Sequence, residues 1–117
     1  MTQDQTLNDS HQQNKAIEQD DEGYLLDLES WTETIANAIA QGEGITLGAE
    51  HWEIIYLLRR FYEEYGISPV IRVLVKTVKE ELGADKGNSI YLMQLFPGSP
   101  AKLAAKIAGL PKPTNCL

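Results

Sequence analysis

Cysteine and histidine are scarce in this chain of 117 residues, which contains one Cys and two His. A single cysteine excludes an intramolecular disulfide and a paired-cysteine redox site. Two histidines, His11 and His51, are too few to indicate a metal site beside one cysteine. The sequence therefore predicts a protein that uses neither a metal nor a cofactor.

Long hydrophobic runs are also missing. No apolar run approaches the roughly 20 residues that a membrane-spanning helix needs. The N-terminal stretch MTQDQTLNDSHQQNK has neither the basic start nor the apolar segment of a secretory signal. We therefore expect a cytoplasmic protein without a membrane partner.

Acidic side chains are absent from Lys86 onward, a segment that contains four lysines. The net charge of −7 hides this asymmetry: residues 1–58 contain 12 acidic side chains and one lysine, and residues 59–117 contain nine basic and five acidic ones. The acidic first half argues against non-specific nucleic-acid binding. The lysines from Lys86 onward are suited to binding an acidic partner. They are also explained as exposed charges that only solvate the ends of helices.

Helical periodicity dominates what is present. The polar composition of residues 1–14 predicts a disordered extension. The sequence DDEG predicts a turn with Gly23 at positive φ, and this turn indicates an N-terminal β-hairpin. Ser30 and Ser68 are predicted as helix caps, and the apolar second helix is predicted to be the central one. Apolar residues at three- and four-residue spacing predict helices over about 30–42, 49–66, 69–83, 88–98 and 99–109.

The chain ends in KIAGLPKPTNCL, with its single cysteine, Cys116, next to last. Pro111 and Pro113 cannot continue a helix and favour an extended backbone. We therefore predict a mainly α protein: a small helical bundle with an N-terminal β-hairpin over 15–109, and an extended C-terminal arm over 110–117.

Cys116 is the candidate catalytic residue because a thiolate is a good nucleophile, with a free thiol pKa of about 8.5. Lys106 and Lys112 favour the thiolate, whereas the terminal carboxylate opposes it. A thiol delivered on a stiff arm suits sulfur carriage, in which a persulfide forms and is passed on without a cofactor. From the residues alone, a redox-sensing thiol and an incidental terminal cysteine remain open.

Three segments together resemble the TusE/DsrC family of small sulfur-carrier proteins, also called the gamma subunit of dissimilatory sulfite reductase. They are the run GYL…W (Tyr24, Leu25 and Trp31), HWEIIYLLRRFYEEYGISPVIRVL and YLMQLFPGSPAKLAAKIAGLPKPTNC. The resemblance covers about residues 15–117. It implies an orthogonal helical bundle with an N-terminal hairpin and a mobile C-terminal arm, and a persulfide on Cys116.

One position separates two branches of the family. The DsrC branch has a second arm cysteine where this chain has Ala105, so the chain is similar to the single-cysteine TusE branch. TusE proteins accept a persulfide from the TusBCD complex and pass it to the tRNA thiouridylase that makes wobble 2-thiouridine. The resemblance thus implies a sulfurtransferase with a TusBCD-like donor and a tRNA thiouridylase, with or without bound tRNA, as acceptor.

Two alternatives stay open beside that interpretation. The first is a single-cysteine DsrC-like protein that works with sulfite-reductase-type proteins in dissimilatory sulfur metabolism or its regulation. The second is a DNA-binding or interaction module whose thiol senses redox state.

The resemblance also implies which residues contact partners. Arg59 and Arg72 match family arginines and are expected to contact the arm or a partner, while a structural role is expected for His51 and Trp52. The docking arm itself is expected to comprise Lys106, Pro111, Lys112 and Pro113.

Overall fold

A computed structural model describes residues 17–114 of the chain. The predicted extension over 1–14 and the predicted catalytic residue Cys116 lie outside the described residues. No helix within 17–114 is long and apolar enough to cross a membrane. The described part contains a one-turn 3-10 helix, Leu28–Ser30, and five α-helices: α1 Glu33–Gly42, α2 Ala49–Tyr65, α3 Ile71–Leu82, α4 Ser89–Leu95 and α5 Pro100–Ile107.

The last helix, α5, is the centre of the bundle, because it packs against each of the other four α-helices. Three of its five buried residues are alanines, and Ala104 and Ala105 are completely buried. Methyl-sized side chains allow neighbouring helices to approach closely without leaving voids. The prediction that α2 is the central helix is therefore only half right. Four of its apolar side chains are buried, namely Ile54, Ile55, Leu57 and Leu58, but the contacts between helices converge on α5.

The predicted N-terminal β-hairpin is represented by a single antiparallel bridge between Gln19 and Leu25, and no longer strand forms within residues 17–114. The Asp20 carboxylate accepts a hydrogen bond from the backbone N–H of Tyr24 at 2.9 Å. Gly23 has the predicted positive φ, at +94°. The turn is thus closed by its own side chain, and Tyr24 and Leu25 anchor it in the core.

The capping role predicted for Ser30 is wrong. The Ser30 hydroxyl donates to the carbonyl of Asp27 at 2.7 Å inside the 3-10 turn, and the chain is extended at Trp31. The cap of α1 is Thr32, whose hydroxyl accepts a hydrogen bond from the backbone N–H of Ile35 at 3.1 Å. A short hydroxyl side chain bonds to whichever backbone group lies nearest, so its identity alone does not place the cap.

The start of α3 also differs from the prediction. The helix begins at Ile71 with Val70 as its cap residue, and Ser68 lies buried outside it. Local signals do place the later helices. The Asn88 side chain accepts from the backbone N–H of Tyr91 at 2.9 Å to start α4, and Pro100 opens α5.

Candidate functional site

The C-terminal segment is held against the bundle as far as the structure describes it. We name residues 107–113 the arm root. Leu110 is 2% exposed and Pro113 is among the fully buried side chains, whereas Pro111 and Lys112 face solvent. The first half of the predicted arm is therefore packed on the protein surface as far as Pro113.

Two side chains bind the carbonyl groups at the end of α5. The Trp31 indole Nε1–H donates to the carbonyl of Ile107 at 2.9 Å, and an Arg59 Nη1–H donates to that of Ala108 at 2.6 Å. The last carbonyls of a helix have no partner within it, so these bonds satisfy groups that would otherwise need water. The Arg59 guanidinium also lies 4.0 Å from the centre of the Trp31 ring.

Burial lowers the pKa of Arg59 below its ordinary value, with the Glu63 carboxylate acting in the opposite direction. Arginine nevertheless stays protonated in proteins, so the group remains a cation and a donor. Arg59 thus has an internal partner: it holds the arm root, and its planar face is occupied by Trp31.

Gly109 allows the chain to leave α5 in contact with Trp31. Its φ is +73°, and a Cβ atom at this position would lie 2.3 Å from the Trp31 Cδ1 atom. The backbone N–H of Leu110 then returns to the carbonyl of Ala105 at 2.9 Å. Only a residue without a side chain fits this turn, because both the conformation and the space exclude a Cβ.

Further along the arm root, contacts come from two other elements. The Ser68 hydroxyl donates to the carbonyl of Pro111 at 2.6 Å. The Lys112 ammonium lies 3.0 Å and 3.2 Å from the two carboxylate oxygens of Glu22. Both side chains of that pair are solvent-exposed, so it contributes at most about 1 kcal/mol.

Lys106 faces the N-terminal turn from α5. Its ammonium lies 3.1 Å from a Glu43 carboxylate oxygen and 5.4 Å from the centre of the Tyr24 ring. The Tyr24 hydroxyl in turn donates to the carbonyl of Lys102 at 3.3 Å. These contacts join the turn over residues 19–25 to the same side of the bundle as the arm root.

Of the residues expected to contact the arm or a partner, only Arg72 stands apart. It is exposed on α3, and no hydrogen bond or ion pair joins its side chain to another residue within 17–114. The structure brings the remaining described ones together at the arm root and the neighbouring face of α5: Arg59, Lys106, Pro111, Lys112 and Pro113.

Several arm contacts were not predicted from the sequence. Trp31, Ser68 and Glu22 each meet the arm root from a distant part of the chain, and no local pattern marks them. His51 has a structural role: its Nδ1 accepts from the backbone N–H of Gly48 at 3.0 Å, and its Nε2–H donates to the carbonyl of Leu95 at 3.0 Å.

Two clefts border the arm root, and Ser99 and Lys102 line both. The first has a volume of about 250 Å³ and a mostly apolar lining that includes Val70, Ile71, Met93, Pro100 and Pro113. The second has a volume of about 270 Å³ and a polar lining that includes Glu22, Glu43, Lys102, Lys106 and Lys112. The arm root passes between an apolar surface and a charged one.

The sequence profile of a family described as "DsrC like protein" matches residues 11–117. The chain belongs to the DsrC-like family. A "Sulfurtransferase TusE homolog" from Haemophilus influenzae is 59% identical over 101 residues, which cover 86% of this chain and 93% of that relative. The "Sulfurtransferase TusE" of Escherichia coli K12 is 53% identical over 103 residues, covering 88% and 94%.

Solved structures agree with this assignment. The NMR structure of Allochromatium vinosum DsrC has a TM-score of 0.78 and 52% identity, over 85% of this chain and 88% of that one. The oxidized gamma subunit of the dissimilatory sulfite reductase from Archaeoglobus fulgidus has a TM-score of 0.75 and 44% identity, over 86% and 92%. The family predicted from the sequence is confirmed, and this DsrC-like protein is a sulfurtransferase with a sulfur-relay role.

Ala105 limits the sulfur chemistry of this DsrC-like protein. Its methyl group is completely buried in α5. The chain has one thiol, so an arm disulfide within one molecule cannot form. Sulfur chemistry that needs two cysteines within one molecule is therefore not available to this chain.

Proposed function

We propose that this protein accepts sulfane sulfur as a persulfide on Cys116 and passes it to the tRNA thiouridylase that makes wobble 2-thiouridine. A TusBCD-like complex is the donor, and the reactions take place in the cytoplasm. The observation that carries the proposal is the match to sulfurtransferase TusE relatives at more than half identity, in a chain whose one thiol is next to last.

The chemistry needs no redox partner. The Cys116 thiolate attacks the terminal sulfur of the donor persulfide, a new S–S bond forms on Cys116, and the donor cysteine leaves as a thiolate. The acceptor cysteine repeats the same exchange, so each step breaks one S–S bond and forms another. Exchange of this kind depends on a thiolate nucleophile and on access to the attacked sulfur.

The packed arm root supports the role of a positioned carrier. Residues 107–113 are held by Trp31, Arg59 and Ser68, so only a short stretch of chain separates the bundle from Cys116. A short tether loses less conformational entropy when it is bound by a partner than a long flexible one does. We further propose that Lys106, Lys112 and Arg72 contribute to partner contacts and that Arg59 contributes by holding the arm root.

The first test is mass spectrometry after incubation with a purified TusBCD-type complex carrying persulfide. We expect wild-type protein to gain the mass of one sulfur atom and the Cys116→Ser variant to gain none. Wild-type protein that stays unmodified under these conditions would refute the carrier role.

The acceptor is tested in cells. Deletion of the gene should abolish wobble 2-thiouridine, wild-type protein should restore it, and Cys116→Ser should not. Unchanged thiouridine in the deletion strain would remove the tRNA assignment. It would favour the second candidate, a single-cysteine DsrC-like protein in dissimilatory sulfur metabolism, which the similarity to solved DsrC structures supports.

A further inference from the structure

An apolar surface lies exposed beside the arm root. On α4, Ile90 is 72% exposed and Met93 is 43% exposed. Met93 lines the apolar cleft together with Ile71 and Pro113, and it also lines a shallow depression that includes Ile90. We name Ile71, Ile90, Met93 and Pro113, with the neighbouring Lys102, the arm-side surface.

The length of chain beyond the arm root ties this surface to Cys116. Pro113 is fully buried, and the preceding residues are bound by Ser68 and Glu22. Cys116 is three residues further on, and three residues span at most about 11 Å when fully extended. While the arm root stays bound, any protein that exchanges sulfur with Cys116 must therefore approach within that distance of Pro113. The arm-side surface includes Pro113 and lies along the cleft beside it.

Charge indicates what such a protein presents. Lys106 and Lys112 are paired with Glu43 and Glu22. Lys102 is half-buried between the two clefts, and its ammonium forms no ion pair or hydrogen bond with any residue in the described range 17–114. An acidic side chain of a partner would complement this cation, and the complementarity would speed association.

We propose that the arm-side surface binds the protein that delivers persulfide to Cys116. The donor inserts an apolar side chain into the cleft between Met93 and Pro113 and places a carboxylate beside Lys102. The apolar lining favours a protein over RNA, whose recognition requires cations and stacking aromatic rings. This inference rests on the proposed function and adds the location and chemistry of the contact.

The test compares two ways of loading Cys116 with sulfur, each measured as a rate by mass spectrometry. One uses the purified TusBCD-type complex, which must dock, and the other uses inorganic polysulfide, which need not. The variants are Ile90→Asp, Met93→Asp and Lys102→Glu. Tyr65→Asp is the matched control, because Tyr65 is 59% exposed on α2 and lines neither cleft beside the arm root.

We expect loading from the protein donor to fall about tenfold or more in Ile90→Asp and Met93→Asp, which corresponds to about 1.4 kcal/mol of lost binding. Lys102→Glu should show a similar fall at low salt and a smaller one at high ionic strength. Polysulfide loading should be unchanged in all three variants, and Tyr65→Asp should behave as wild type in both assays. The asparagine substitution Lys102→Asn, which removes the charge without reversing it, should lie between wild type and Lys102→Glu.

Other occupants of the surface predict different results, and each would overturn the inference. Altered polysulfide loading would indicate that residues 115–117 of the same chain occupy the cleft. A dimer that dissociates in the variants during sedimentation would indicate a second copy. Normal donor loading with weakened binding of purified tRNA would assign the surface to RNA. Failure of the donor to load wild-type protein would refute the proposed function, and this inference with it.

Discussion

Replacing Gly109 by alanine tests whether the arm root is packed as tightly as the structure shows. The added Cβ atom would lie 2.3 Å from Trp31 Cδ1, and the backbone φ of +73° is unfavourable for any residue with a side chain. Gly44 offers a matched control, since its φ is +79° and no heavy atom outside its chain neighbours lies within 4 Å of an added Cβ. The two substitutions therefore share the conformational cost and differ in the steric one.

The magnitudes separate the two effects. A left-handed conformation costs an alanine about 1–2 kcal/mol, and loss of unfolded-state freedom returns about 0.4–1 kcal/mol. Gly44→Ala should therefore lower the free energy of unfolding by about 1 kcal/mol. Gly109→Ala adds the overlap with the indole ring, for which overpacking costs of about 1–3 kcal/mol are typical. We expect a total loss of about 2–4 kcal/mol.

Urea unfolding of the full-length chain, followed by far-ultraviolet circular dichroism under reducing conditions, gives both free energies. If the two variants lose equal stability, Trp31 is not packed against Gly109. The position assigned to the arm root would then be wrong. A Gly109→Ala, Trp31→Phe double variant provides a further check, because a smaller ring should relieve part of the steric cost.

Two further substitutions test single contacts. Ser68→Ala removes the hydroxyl that donates to the carbonyl of Pro111, and urea unfolding should show a loss of about 1–2 kcal/mol; unchanged stability would mean that the bond is not formed. Tyr91→Phe removes a buried hydroxyl that has no hydrogen-bond partner among the described residues. At pH 7 we expect the free energy of unfolding to be unchanged or raised by up to about 1 kcal/mol. A clearly lower free energy of unfolding would contradict this expectation. Burial raises the pKa of the Tyr91 hydroxyl in the folded protein, so the unfolded chain loses this proton at a lower pH. The stability of the wild type should therefore fall as the pH rises above about 10. Tyr91→Phe should make this fall shallower when the free energy of unfolding is measured from about pH 9 to about pH 11.

Local signals explain why much of the helical fold could be predicted. The helices predicted over about 88–98 and 99–109 begin close to the expected positions, because the Asn88 amide and Pro100 act on the backbone immediately beside them. The predicted cap at Ser68 is wrong because its hydroxyl has a distant partner, and the predicted cap at Ser30 is wrong because its hydroxyl bonds within the preceding 3-10 turn. Their hydroxyls bond to backbone carbonyls of Asp27 and Pro111, and the second of these is 43 residues away. Sequence spacing does not reveal such a partner.

The candidate site also has one part that the sequence reveals and another that only the structure reveals. Cys116 and the prolines of the arm are visible in the sequence, and the resemblance to the family turns that pattern into sulfur-transfer chemistry. Most of the contacts that hold the arm root cannot be read from the sequence, and Arg59 is expected at the arm or a partner only because of the family resemblance. Trp31 and Arg59 bond to carbonyls 76 and 49 residues away, and such pairs depend on how the helices pack.

The identity of the central helix shows the same difference between what the sequence reveals and what the structure reveals. Apolar periodicity marks α2 as buried, and four of its side chains, Ile54, Ile55, Leu57 and Leu58, are buried. The helix that contacts the other four is α5, whose alanines look unremarkable in the sequence but permit close approach. Hydrophobicity describes the free energy gained when a side chain is transferred out of water, whereas side-chain size determines how closely two helices can approach.

By itself, the sequence determined the chemistry that is possible: one thiol, next to last, on a segment whose prolines exclude a helix. Only the tertiary structure decided how much of the segment before that thiol is packed against the bundle. Long-range hydrogen bonds from Trp31, Arg59 and Ser68 hold the chain to the bundle as far as Pro113, because helix ends and buried carbonyls need donors that their own neighbours cannot supply.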